Sequence, residues 1–130
     1  MSDLTQLHIT LGWSSMLLGI LSGAVIGLFF HREDWAGGYG SFTRRMMRLA
    51  HVAFFGLGFL NILFGLSLQG ISLIESYSRV ASYGLILGAV SMPVCCLLAA
   101  WRKPLRHLFP VPVLCLFAGI VPIVLGGLQS

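Results

Sequence analysis

Four long apolar runs constrain this chain more than any other feature. They cover about residues 8–30, 49–70, 80–101 and 110–128. Each is close to the roughly 20 apolar residues that a helix needs to cross a bilayer. None alternates apolar and polar residues, which excludes a transmembrane β-barrel. Hydrocarbon offers the backbone no hydrogen bonds, so helices are the spanning structure that remains. The runs predict an all-α fold: a single integral membrane domain over 1–130, built as a four-helix transmembrane bundle with up-down topology. Composition closes the other routes. Only 9% of the 130 residues are charged and 57% are apolar, whereas a soluble domain carries about 25% charged residues. Disorder requires low hydrophobicity, and here the mean hydropathy is +0.92.

Charge placement predicts orientation. Arg32, Arg44, Arg45 and Arg48 lie between the first two runs or at the entry to the second, and Arg102, Lys103 and Arg106 lie between the third and fourth. In an up-down bundle these two loops share one side. Positive-inside logic makes that side cytoplasmic and puts both termini outside. The exception is Arg79, beside Glu75 at the outer mouth of the third run. The net charge of +4 thus reads as topology and as affinity for anionic lipid at the cytoplasmic face, not as a nucleic-acid footprint. The first run has no basic leader and exceeds the roughly 7–15 residues of a signal peptide's apolar core, so it is expected to stay in place.

Small residues predict close helix packing. Gly19, Gly23 and Gly27 recur every four residues in the first run, and Gly84 and Gly88 do so in the third. Such faces let two backbones approach where lipid offers no hydrophobic driving force. In the second run His51, Phe54, Gly58, Asn61 and Gly65 form one helical stripe. An asparagine near mid-membrane is costly unless paired, so the stripe is expected to face protein. It allows two readings. Either Asn61 and His51 bond neighbouring helices, or His51 is a ligand.

The histidines carry the sharper reading. His31, His51 and His107 all lie toward the inner face, whereas His8 stands alone at the outer end. Imidazole is the commonest metal ligand and often holds haem iron. The expected site therefore has His51 as the main contact to haem b or a quinone near the cytoplasmic face. His31 or His107 would be the second ligand, Arg48 would meet a propionate or a quinone carbonyl, and Asn61 would complete the polar stripe. Covalent c-type haem is excluded, since no C-x-x-C-H occurs.

Other features point less far. Arg44, Arg45 and Arg48 sit in the first turns of the second helix, after a cap at Ser41 or Thr43, where positive charge opposes the macrodipole. Something anionic should compensate: lipid phosphate, Glu33 or Asp34, a cofactor carboxylate or an acidic partner. Met92 and Cys96, at i and i+4, could hold a soft metal, although cysteine is also an ordinary apolar filler. The glycine-rich stretch 31–40 is neither a phosphate-binding loop nor a dinucleotide fingerprint. The sequence contains no recognisable catalytic constellation, so the isolated chain is not expected to be an enzyme.

With Arg48, His51, Asn61 and the small-residue stripe in place, the chain resembles small four-helix membrane-anchor and accessory subunits of bacterial respiratory complexes. It is similar also to small four-helix proteins that assist haem-copper oxidase maturation. The resemblance implies a bacterial inner-membrane protein working beside other membrane subunits or as a homo-oligomer. Haem-b anchors usually carry two buried histidines on different helices, and here only His51 lies clearly inside a span. The alternatives are a purely structural or assembly protein without a cofactor, and a small homo-oligomeric transporter or channel.

Overall fold

The computed structural model describes residues 2–70 and 73–128. Four helices carry the chain: α1 (Ser2–Phe29), α2 (Phe42–Ser67), α3 (Glu75–Trp101) and α4 (Pro110–Gly127). All four are long and apolar enough to cross a membrane. The first three begin before their apolar runs do. The clearest case is α2, which starts at Phe42 although its apolar run starts near Leu49. The physical reason is a cap. The Ser41 hydroxyl accepts from the Arg44 N–H at 3.1 Å and satisfies one of the free donors of the first turn. Thr43, the other expected cap, instead donates its hydroxyl to the Ala100 carbonyl of α3 at 3.3 Å.

The main packing runs α1 on α2, α2 on α3 and α3 on α4, with a smaller contact between α1 and α3. Glycine sets the closeness of the outer two seams. On α1, Gly19 faces the Phe55 ring and Gly23 faces the His51 ring, so a step of four along α1 matches a step of four back along α2. A Cβ on Gly58 would stand 2.8 Å from the Gly12 carbonyl, and one on Gly84 would stand 2.5 Å from the Gly119 nitrogen. These are backbone-to-backbone approaches, which a side chain cannot enter without moving a helix.

The apolar core sits toward one end of the molecule. Phe64, Leu68, Ala81 and Leu85 are buried there, with Leu4, Leu73, Leu116 and Ile123 packed around them. Large apolar side chains elsewhere point outward, among them Leu17, Leu21 and Leu28 on α1 and Leu114 and Phe117 on α4. In lipid this costs nothing, since the surroundings are as apolar as the side chains.

Candidate functional site

The stripe on α2 packs against α1 along its length, and it holds two separate polar centres. Asn61 lies ten residues beyond His51, about 15 Å along the helix axis. The two therefore belong to different sites.

At the first centre His8 is fully buried, in contact with both Asn61 and Ser82. The Asn61 amide nitrogen donates to the Leu57 carbonyl at 2.8 Å. This turns its oxygen toward His8, whose Nδ1–H donates to Asn61 Oδ1 at 2.7 Å. Nε2 then carries the lone pair and accepts from the Ser82 hydroxyl at 2.8 Å. The edge of the His8 imidazole meets the Phe64 ring at 4.7 Å between centroids. Three helices are thus joined by one ordered chain of bonds with every partner satisfied. The order is that of a Ser-His-Asn triad, but Ser82 is buried mid-helix, where backbone N–H groups are spent on the helical ladder. His8 does not stand alone, contrary to its place at the edge of an apolar run. The helix starts six residues earlier, at Ser2, and carries His8 inside the bundle. The polar residues Asn61 and Ser82 on other runs are the sequence signal for its burial.

The second centre is His51. Its Nδ1 lies 2.8 Å from the Gly19 carbonyl, and a carbonyl can only accept, so Nδ1 carries the proton. The Ser22 hydroxyl is 3.2 Å from the same nitrogen and donates to Gly19 O. Nε2 is left with its lone pair and no hydrogen-bond partner among the described residues, where no side-chain polar atom is both buried and unpartnered. The ring therefore reaches the surface of the helix pair through Nε2. Gly23 makes this possible: a Cβ there would stand 2.5 Å from His51 Cε1. A separate apolar groove of about 340 Å³ lies on the α3 side of this seam, lined by Leu18, Ile26, Met47, Phe54 and Leu97; His51 is not among its lining residues.

The remaining candidates lie elsewhere. His31 is exposed in the turn after α1, and His107 is exposed in the 3-10 segment Lys103–Leu108, which packs on α3 and α4. Among the described residues, the hydrogen bonds and ring contacts of His51 go to Gly19, Ser22 and Phe55, not to His31 or His107. Arg48 stacks over the Tyr39 ring at 4.7 Å and donates to the Tyr39 carbonyl at 3.4 Å. Arg44 is buried; its guanidinium donates to the carbonyls of Trp35, at 2.6 Å, and Arg32. It also lies 5.3 Å from the Trp35 ring centroid. Arg44 is thus met by neutral loop carbonyls and aromatic faces rather than by the anionic partner expected from the sequence. Cys95 and Cys96 are buried, and among the described residues no three His, Cys, Asp or Glu side chains converge as metal ligands.

No family model, curated protein or solved structure matches the chain.

Proposed function

We propose that the chain is a small integral membrane subunit or accessory protein of a bacterial inner-membrane redox complex, with His51 as its contact to haem b or a quinone-type cofactor. The helices run up and down, with the arginine-rich loops cytoplasmic and facing anionic lipid and both termini outside. The observation that supports the cofactor reading is the state of His51. Metal-ligating histidines commonly donate the other ring N–H to a backbone carbonyl, which orients the ring and fixes the tautomer. His51 has that arrangement toward Gly19. A lone pair on Nε2 suits iron, or the hydroxyl of a reduced quinone; a quinone carbonyl would need a donor instead.

A second reading is favoured by the His8–Asn61–Ser82 chain, where buried polar groups serve only to join helices. On that reading the protein is structural or assists assembly, and His51 holds α1 to α2. Purification from native membranes in mild detergent tests the two. The redox reading expects a co-purifying membrane subunit together with an α band in the reduced-minus-oxidised spectrum or extractable quinone. A chain that carries neither cofactor nor partner subunit overturns it.

A further inference from the structure

We propose that the trough between α1 and α3 seats one acyl chain of an anionic phospholipid, whose phosphate lies against Arg32, Arg44 and Arg102 at the trough's inner mouth. The inference rests on the reading that the arginine-rich loops face anionic lipid, and it is independent of any cofactor at His51.

The bond between His8 and Ser82 ties α1 to α3 near their outer ends. Further in, these two helices form the walls, and α2 the floor, of two adjoining apolar stretches of about 380 and 340 Å³ that share Leu18 and Phe54. On α1 the lining runs from Leu11 to Ile26. That is about 22 Å at helical rise, within a hydrocarbon core roughly 30 Å thick. The hydroxyl protons along it are already committed: Ser14 donates to the Thr10 carbonyl, Ser15 to the Phe54 carbonyl and Ser22 to the Gly19 carbonyl. The trough therefore offers a polar ligand no free donor and suits hydrocarbon. A helix of that length, about 10–12 Å across, fills roughly 2,000 Å³, far more than the trough encloses. A single extended acyl chain is the slimmer occupant.

Charge decides which lipid. One turn inward of the lining residues Ile26, Met47 and Leu97 stand Phe29 on α1, Arg44 on α2 and Trp101 on α3. The Thr43 bond to the Ala100 carbonyl holds α2 and α3 together at this level. Arg32 lies 5.8 Å over the Phe29 ring and Arg102 lies 4.7 Å over the Trp101 ring. Trp35, stacked on Phe29, lies 5.3 Å from Arg44. Arg44 uses Nε and Nη2 on loop carbonyls; Nη1 has no partner among the described residues and is not buried. Glu33 and Asp34 belong to the same loop, but neither forms an ion pair with these arginines among the described residues. The mouth thus carries three guanidinium charges without an anion of the chain's own to neutralise them. Guanidinium groups pair phosphate strongly, and tryptophans at this level are the residues that sit among headgroups.

The test is lipid retention by the full chain in mild detergent, read by native mass spectrometry with dioleoylphosphatidylglycerol, dioleoylphosphatidylcholine and inorganic phosphate. The expected result is one phosphatidylglycerol per chain, retained about ten-fold better than phosphatidylcholine and not displaced by phosphate. Arg32→Gln and Arg102→Gln, both at exposed side chains, should each weaken its retention about five-fold. Ser14→Trp and Val94→Trp fill the trough from its rim and should weaken retention of both lipids while the chain stays helical by circular dichroism. If one of these two unfolds, the other carries the test. A preference for phosphatidylglycerol that survives the tryptophan variants, or that phosphate abolishes, overturns the seat and leaves the loops' contact with anionic lipid standing. Equal retention of the two lipids overturns both. A photoreactive residue at position 94 should label lipid; labelling of a second chain or a partner helix instead overturns the seat.

Discussion

His8 and His51 sit on the same α1–α2 seam and differ in how much of each ring the protein uses. His8 has both nitrogens bonded to side chains of other helices and no exposure. His51 spends one nitrogen on a backbone carbonyl and leaves the other free. An intramembrane histidine is therefore not by itself a ligand. A ring with two committed nitrogens is a fastener; a ring oriented through one nitrogen can still serve something outside the chain.

The largest effect should come from the fastener. Asn61→Leu leaves the His8 N–H buried without an acceptor, and His8→Leu takes the partner from Asn61 Oδ1 and from the Ser82 hydroxyl. An unmatched buried polar group costs about 1–3 kcal/mol, so both variants should melt well below wild type in detergent. His51→Leu, which frees a carbonyl already bonded by Ser22, should cost less. If His51→Leu proves the more damaging of the two histidine variants, the contrast fails.

A smaller effect should separate two glycines one turn apart. Gly23→Ala forces its new methyl against the His51 ring, so the ring or the helix must shift. Gly27→Ala meets open space and removes a glycine from the last turn of α1, worth at most roughly 0.5–1 kcal/mol in favour of the variant. Thermal melts of the pair should move in opposite directions. Equal melts would mean that the His51 ring is not held as tightly as its contacts imply.

The smallest effect lies away from both histidines. Arg79 and Glu75 form an exposed i,i+4 pair at 2.5 Å, and such pairs contribute about 0.3–0.5 kcal/mol. Glu75→Gln should leave the melting temperature nearly unchanged and should not alter either histidine's environment by NMR. A large loss would show that the start of α3 feeds into the His8 centre through Ser82.

Hydropathy and residue size, read along the chain, settle four apolar helices, their approximate extents and the need for close packing at Gly19, Gly23 and Gly84. Both properties act locally, so no knowledge of the packed bundle is needed. The same reading singles out His51 and Asn61 as side chains that must face protein. What those side chains meet is visible only in the assembled bundle. His8 pairs with Asn61 and Ser82 across 53 and 74 residues of chain, and Arg44 finds its carbonyls only once the 30–41 turn has folded over it. Hydrogen-bond partners depend on how helices are rotated and offset against one another. The glycine seams acting together set those rotations, and no single run of residues contains them.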